Sequence, residues 1–220
     1  HVLGEIIFQL EGTVGPRIID FRDDLHEMIE KILANKQPGL MTGFAKLDSI
    51  LCGLEGGDLV TVGARAGGGK TAFMTRIYCN LAQGVPGLQD PAEVLYLTTE
   101  MTEDQMITRI LPMATNIPYW KFRSRSLDQS DMGKVLDASA EMLQLMPAKL
   151  IGKSQFALKD IRAAITRAKP KAVFIDYLDR CVLPRAESQT LRIAEFLREL
   201  KTFLQDAGVV GFLGSQLDRG

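Results

Sequence analysis

The chain has 220 residues, in which 26 lysines and arginines stand against 27 aspartates and glutamates, for a net charge of −1. This length accommodates one α/β domain with a short appendage and a sizeable hydrophobic core. The near-neutral charge excludes a protein that holds nucleic acid by a globally basic surface, so any such contact must come from local loops.

The cysteines and the apolar runs indicate the compartment. Cys52, Cys79 and Cys181 are odd in number, widely spaced and form no C-x-x-C pair. This pattern disfavours a disulfide framework or a zinc site and favours a reducing environment. The longest apolar runs, such as residues 209–213, are far shorter than a membrane span, and no charged-then-apolar leader opens the sequence. We therefore expect a soluble, cytoplasmic protein without a membrane partner.

The first periodic segment is 20–35, where apolar residues recur at helical spacing and Asp20 can cap the start. The apolar positions are Phe21, Leu25, Met28, Ile29, Ile32 and Leu33. An amphipathic helix is predicted here, and Pro38-Gly39 follows it as a hinge. The apolar stripe predicts that this helix packs on its own domain or on a neighbouring subunit.

From residue 40 onwards, short β-rich runs alternate with helical patterns. The predicted strands are 59–63, 94–99, 149–151, 172–176 and 209–214. The predicted helices are 70–82, 103–115, 128–146, 158–168 and 189–206, with Pro112 kinking or ending the second of them. Such alternation predicts an α/β fold, with a parallel sheet covered by helices on both faces.

The segment between the first strand and the helix after it carries the most specific chemical signal. It reads Ala64-Arg65-Ala66-Gly67-Gly68-Gly69-Lys70-Thr71. The glycines let backbone N–H groups surround an anion, Lys70 can reach β- and γ-phosphates, and the Thr71 hydroxyl can ligate Mg²⁺ at a helix amino terminus. A phosphate-binding loop is predicted, although Ala64 replaces the first glycine of the general pattern; a glycine-rich turn without a ligand is the alternative. The predicted nucleotide contacts are Ala66, Gly67, Gly68, Gly69, Lys70, Thr71 and Ala72.

Polar residues follow the other strands, and parallel sheets bind ligands at the carboxyl ends of their strands. Asp176 ends an apolar run and is placed to hold Mg²⁺ directly or through water; its alternative role is to cap a turn. Glu100 can orient and deprotonate an attacking water, or simply begin the next helix. Gln216 can donate to a γ-phosphate, or be a solvated polar residue.

Together these residues resemble the RecA-fold motor domain of bacterial and phage DnaB-type replicative DNA helicases. The matching segments, in the family's order, are Thr42 to Asp48, Gly53 to Leu59, Ala64 to Ala72, Glu100-Met101, Ile175 to Leu178 and Ser215 to Arg219. The resemblance implies a RecA-like P-loop NTPase that uses ATP and Mg²⁺ to translocate on single-stranded DNA and unwind it. It implies Glu100 as general base, Gln216 as a γ-phosphate contact and Arg109 as a supporting residue of the nucleotide site.

The resemblance also implies a domain organisation. Residues 1–39 look like the end of an N-terminal region with a linker helix, and residues 40–220 look like the ATPase domain. In this family the linker helix docks on the adjacent subunit, which implies a ring hexamer formed through residues 20–35, with primase or a helicase loader as further partners. DNA contacts are expected on the loop after Asp176, which nominates Arg180 and Arg185; either can instead be a solvated loop arginine.

Departures from the family pattern carry their own expectations. Ala66-Gly67-Gly68 replaces a bulkier, proline-containing stretch, which predicts weaker nucleotide affinity. Asp179 stands where the family commonly has glutamine. The sequence stops at Gly220, before the family's arginine finger and main DNA-contacting loop, so we expect this chain to be catalytically incomplete.

One aromatic stretch and the overall function each leave alternatives open. Residues 120–125 interleave aromatic and basic side chains, and burial of Trp120 and Phe122 against the next helix is favoured over base stacking. A RecA-fold ATP-binding regulatory or assembly module without unwinding activity is the second functional interpretation. A nucleotide kinase is a third, although it does not need Glu100 as a base. The arm at 20–35 favours the motor.

Overall fold

The computed structural model of the chain describes residues 25–26, 29–30, 33, 39–87, 89–145, 148–184 and 187–217. The chain divides into two units, residues 1–37 and 38–220. In the first unit the described residues are helical, as the periodicity predicts, and the rest of the predicted helix at 20–35 lies outside the described residues. The apolar side chains described there are all exposed: Leu25, Ile29 and Leu33.

The second unit alternates strands and helices in the predicted order. The helices are α1 Ala45–Leu51, α2 Lys70–Gln83, α3 Glu103–Thr115, α4 Tyr119–Arg123, α5 Gln129–Leu145, α6 Leu158–Ala168 and α7 Gln189–Ala207. The strands are β1 Leu59–Ala64, β2 Val94–Thr98, β3 Ala148–Gly152, β4 Phe156–Ala157, β5 Ala172–Asp176, β6 Cys181–Val182 and β7 Val210–Gln216. A 3₁₀ turn, Leu178–Arg180, lies between β5 and β6.

The main sheet has the strand order β1-β7-β5-β2-β3, and all of its pairings are parallel. β2 and β5 are buried along their whole length because their apolar runs have helices on both sides. A parallel sheet brings the carboxyl ends of its strands to one edge. The predicted α/β class is confirmed, and the residues after β1, β2, β5 and β7 share that edge.

Alternate residues of the strands face two separate hydrophobic clusters. On one face Tyr96, Phe174 and Phe212 stack, with ring centroids 5.6 and 4.6 Å apart, beneath apolar residues of α2 and α3. On the other face Leu97 and Ile175 pack against α6 and α7. The period of two in these strands therefore determines which helix covers which face.

The segment before α1 is held on α2 by a buried carboxylate. Asp48 accepts hydrogen bonds from the backbone N–H and the hydroxyl of Thr42, both at 2.7 Å, and from the N–H of Gly43 at 3.0 Å. The Asn80 amide of α2 donates to the Thr42 carbonyl at 2.9 Å. The Thr42-to-Asp48 segment thus braces the helix that begins at the phosphate-binding loop.

Three local features differ from or refine the sequence expectations. Pro112 lies inside α3, which continues to Thr115, so the helix ends where predicted and not at the proline. The sequence patterns predict neither α4 nor the small parallel pair of β4 with β6. These elements are five and two residues long, which is too short for a periodic pattern to register. Among the described helices, none is long and apolar enough to cross a bilayer.

Candidate nucleotide site

The predicted nucleotide residues line one cavity of about 360 Å³ at the carboxyl edge of the sheet. The loop between β1 and α2 forms one wall, from Ala64 to Ala72. Glu100, Arg109 and Gln216 complete the lining. Residues from both ends of the domain sequence therefore converge on one cavity, and only Asp176 of the predicted set lies beneath it.

The loop has the backbone conformation that its glycines permit. Gly69, which immediately precedes α2, has φ = 84°, in the left-handed region that L side chains rarely adopt. A Cβ built at Gly69 meets no atom within 4 Å, so backbone conformation and not space demands glycine here. The chain then enters α2, whose first N–H groups have no carbonyl within the helix to bind, and this favours a bound anion.

Asp176 and Lys70 form an ion pair below the cavity. Lys70 Nζ lies 3.2 Å from Asp176 Oδ1, and the two side chains are 9% and 0% exposed. The ammonium group also lies 3.8 Å from the centroid of the Tyr177 ring. Lys70 is thus held at the base of the cavity by a carboxylate and an aromatic face.

The two oxygens of Asp176 have different surroundings. Oδ2 accepts a hydrogen bond of 3.0 Å from the Tyr96 hydroxyl. Burial, together with the adjacent Asp176 carboxylate, raises the pKa of Tyr96 well above its ordinary value, so this hydroxyl remains a donor. Oδ1 is buried without a hydrogen-bond donor among the described residues, because the 3.2 Å approach of Lys70 lacks hydrogen-bonding geometry.

The residues present fit a divalent cation. A buried, donor-free carboxylate oxygen beside a threonine hydroxyl is what Mg²⁺ or its water ligands bind. Within the described residues, no three His, Cys, Asp or Glu side chains cluster as a self-sufficient metal site. This agrees with Mg²⁺ chemistry, in which one or two protein ligands share the ion with substrate phosphates.

Glu100 is placed at the edge of the cavity by a backbone connection between β2 and β5. The N–H and hydroxyl of Thr99 both donate to the Asp176 carbonyl, at 2.8 and 3.0 Å. On its other side a capping box fixes the start of α3, with Thr102 and Gln105 exchanging hydrogen bonds. Glu100 itself is exposed between these two anchored segments.

Arg109 lies where the loop cavity meets a second cleft. This cleft, of about 490 Å³, shares Thr71, Glu100 and Arg109 with the loop cavity. The guanidinium carbon of Arg109 lies 6.0 Å from the Tyr119 ring centroid, and its Nε is buried without a hydrogen-bond partner among the described residues. The side chain is therefore available to an anionic group in either cavity.

Gln216 approaches the site along β7. A Cβ added at Gly214 would lie 3.1 Å from both Asp176 Oδ1 and Lys70 Cδ, so β7 passes against these side chains and glycine provides the clearance. Side chains two residues apart leave a strand on the same face. Gln216 therefore leaves β7 on the face of Lys70, and it lines the cavity.

The predicted DNA-contacting residues are not part of this cavity. Arg180 is exposed in the 3₁₀ turn, with its Nε 3.5 Å from the Tyr177 hydroxyl. Arg185 lies outside the described residues. The expected burial of Trp120 is wrong, because this side chain is 60% exposed. In the short helix α4, Lys121 faces the start of α5 instead and pairs with Asp131 at 2.6 Å.

Sequence reasoning misses two tyrosines of the site. In the sequence Tyr96 is only part of an apolar strand, and Tyr177 is only part of a motif. The polar tip of a tyrosine inside a buried strand is the signal that points to a buried partner. That partner is Asp176, 80 residues away, and it becomes visible once β2 and β5 are known to be neighbours.

Comparisons with known proteins agree with this geometry. Residues 39–220 match the model of the DnaB-like helicase C terminal domain. The chain is 30% identical over 188 residues to the replicative DNA helicase DnaB of Pasteurella multocida, and 31% identical over 189 residues to the replicative DNA helicase DnaC of Bacillus subtilis. These matches cover 82% and 83% of the chain but only 39% and 40% of the relatives. The chain thus spans about two fifths of their length.

Solved structures show the same fold. One of them, an isolated ATPase domain, superposes with a TM-score of 0.81 at 26% identity, over 92% of this chain and 73% of that one. A DnaB-like replicative helicase, described together with its interactions with primase, gives a TM-score of 0.75 at 25% identity, over 99% of this chain and 53% of that one. The P-loop, the strand-end acid and the RecA-like sheet all lie within the residues that the family model matches. The chain therefore belongs to the family of the DnaB-like helicase C-terminal domain.

Proposed function

We propose that the chain is the ATP-hydrolysing motor domain of a ring-shaped replicative helicase that translocates on single-stranded DNA and unwinds duplex DNA. The observation that carries this proposal is the convergence of the phosphate-binding loop, Glu100, Arg109 and Gln216 on one cavity above Asp176. A nucleotide-binding module needs the loop and the acid. A motor also needs a base at the cavity edge and a group that distinguishes ATP from ADP, and Glu100 and Gln216 supply candidates for both.

The phosphate-binding residues act by charge and geometry. The loop amides, ending at Gly69, surround the phosphates, and Lys70 exchanges its ion pair with Asp176 for one with the β- and γ-phosphates. Thr71 and Asp176 are the residues that would hold Mg²⁺, which supplies neutralisation of phosphate charge when bound. Because Tyr96 keeps its hydrogen bond to Oδ2, Asp176 stays oriented while Lys70 moves.

The residues around the γ-phosphate divide the remaining work. The Glu100 carboxylate orients a water and takes its proton as the oxygen attacks phosphorus. The Gln216 amide donates to a γ-phosphate oxygen, so that its contact exists with ATP and is absent with ADP. Arg109 adds positive charge from the junction of the two cavities. DNA would be held by its phosphates on the exposed loop after β5, with Arg180 as one contact.

The relatives extend the proposal to partners and compartment. The names of the replicative DNA helicases from two bacteria support DNA as substrate. The structural neighbour described with its primase interactions supports primase as a partner, with a helicase loader as another. Free cysteines at positions 52, 79 and 181 support a cytoplasmic location. The second interpretation, an ATP-binding assembly module without unwinding, remains the competitor.

A strand-displacement assay separates the two functions. We expect the protein to release the labelled strand of a forked DNA duplex only with Mg²⁺ and ATP, and to hydrolyse ATP faster when single-stranded DNA is added. Chelation of Mg²⁺ should stop both. A protein that binds ATP and assembles, yet shows neither strand release nor stimulation by DNA, would be the assembly module.

Assembly through the helix at 20–35 is part of the proposed function. Its described apolar residues, Leu25, Ile29 and Leu33, are exposed. Burying one such side chain stabilises a complex by roughly 1.5–3 kcal/mol, so a surface that covers the stripe gains considerably. We infer that each helix binds a neighbouring subunit in a head-to-tail ring, a hexamer in the family's pattern.

Deleting residues 1–37 tests this assembly. We expect the mass measured by light scattering to fall from that of an oligomer to that of a monomer, because the apolar stripe is lost. The matched variant Leu25→Ala/Ile29→Ala/Leu33→Ala should give the same shift without removing the segment, while ATP-analogue binding per chain persists. An oligomer that survives both changes would show that another surface joins the subunits.

A further inference from the structure

The carboxyl end of β7 extends past the strand on one of its sides. β7 pairs with β1 up to the pair of Ala64 with Gln216, but with β5 only up to the pair of Ile175 with Leu213. Beyond that point β5 ends and the chain turns into the 3₁₀ turn at Leu178–Arg180. The last residues of β7 therefore have a described strand beside them only on the β1 side.

The backbone of Gln216 directs its N–H group to the other side. Leu217 donates its N–H to the Ala64 carbonyl of β1 at 3.0 Å. Successive N–H groups of a strand point in opposite directions, so the N–H of Gln216 points to the side that β5 has left. There Asp179 Oδ2 accepts it at 3.2 Å. A side chain of the 3₁₀ turn thus takes the place of a strand acceptor.

This hydrogen bond fixes the backbone from which the Gln216 side chain starts. The neighbouring Gly214 faces Asp176 and Lys70 so closely that an added Cβ would touch both. Gln216 leaves β7 on the same face and lines the loop cavity. A shift of the strand end by a fraction of an ångström would move the amide relative to a γ-phosphate bound there. The turn that follows the Asp176 carboxylate therefore also holds the end of β7.

We propose that Asp179 is a positioning residue for Gln216, and that it thereby sets how strongly the site prefers a nucleoside triphosphate to a diphosphate. The inference rests on the proposed nucleotide site. Without the carboxylate, water satisfies the N–H of Gln216 and the strand end is no longer tied to the turn. Both residues are exposed, so the effect is several-fold and not all-or-none.

The binding experiment compares fluorescent ATPγS and ADP analogues on the full chain. Asp179→Ala should weaken ATPγS binding about fivefold and leave ADP binding within about twofold. Asp179→Asn retains an acceptor oxygen at the same distance along the side chain, so it should restore the preference for triphosphate. Gln216→Ala should lose the preference to the same extent, and the double variant should lose no more, because both residues act through one contact.

Asp206→Ala is the matched control. It removes the same charge from an exposed aspartate near the end of α7, before β7 begins, at the amino edge of the sheet. An unchanged triphosphate preference in Asp179→Ala would overturn the inference. So would an Asp179→Asn variant as impaired as Asp179→Ala, because the effect would then belong to charge and not to the hydrogen bond.

Amide hydrogen exchange tests the contact without nucleotide. The N–H of Gln216 should exchange several times faster in Asp179→Ala than in the unmodified chain or in Asp206→Ala. Equal exchange rates would overturn the inference even if nucleotide preference changed. An unmodified chain that binds neither nucleotide would refute the proposed nucleotide site, whereas the exchange rates would still decide whether Asp179 holds Gln216.

Discussion

Lys70→Ala is expected to lower the affinity for a fluorescent ATP analogue by at least about a hundredfold, to the point where binding is no longer measured. Among the described residues, Lys70 is the one cation that lies both in the loop and against the buried Asp176. The substitution removes the charge that meets the β- and γ-phosphates. It also leaves the Asp176 carboxylate buried without its counter-ion, which would repel an incoming phosphate. Titration of the analogue into protein with and without Mg²⁺ measures the loss.

The same substitution threatens the fold, so it needs a companion. Breaking a buried ion pair by removing one partner costs about 3–5 kcal/mol of stability. Lys70→Ala/Asp176→Asn removes the unpaired charge, and it should recover much of the thermal stability without recovering binding. Lys201→Ala, which removes an exposed lysine paired with Asp58 at the amino edge of β1, should change neither. Binding that survives in a folded Lys70→Ala protein would disprove the site.

The main elements of this fold are predictable from the sequence because their signals are local. An apolar run such as 172–175 predicts a buried strand wherever it lies in a sheet, and the loop from Ala64 to Thr71 predicts its own turn and helix start. The predicted strands and helices of the core accordingly lie close to their observed bounds. The position of each polar residue just after a strand then follows from the parallel arrangement alone.

What the sequence does not supply is the lateral order of the strands. β5 lies between β7 and β2, and this order brings Asp176 beside Tyr96 on one side and beside Gly214 on the other. No pattern within a single strand encodes its neighbour. Sequence reasoning therefore misses the tyrosine that orients the acid, and it does not anticipate the acceptor role of Asp179 toward Gln216.

Trp120 shows a different limit. Its apolar bulk favours burial, since tryptophan is highly buried on average. In a helix of little more than one turn, however, only one side can face the protein, and Lys121 takes that side by pairing with Asp131 and Asp128. Two carboxylates at the start of α5 outweigh one aromatic ring in deciding how α4 turns. Charge partners ten residues apart are visible in the sequence, but their geometry is not.

Glu100→Gln should separate binding from chemistry. The amide keeps the size of the side chain at the cavity edge, but it cannot accept the proton of an attacking water. We expect ATP-analogue affinity to stay within about twofold and ATP turnover to fall by roughly 10²–10⁴-fold, the range that a general base contributes. Single-turnover hydrolysis of radiolabelled ATP, measured beside equilibrium binding, gives both numbers on the same preparation.

Glu103→Gln is the matched control for this prediction, because it makes the same chemical change three residues away. Glu103 Oε1 accepts from the N–H of Gly152 at 3.2 Å, so it lies toward β3 and does not line the loop cavity. The Glu103→Gln protein retains an acceptor oxygen and should keep both binding and turnover. If Glu100→Gln reduced binding and turnover by the same factor, Glu100 would be a structural or binding residue. If it left turnover intact, the proton would have to be taken by another group, and Asp176, the described carboxylate that faces the loop lysine, is already occupied by Lys70 and Tyr96.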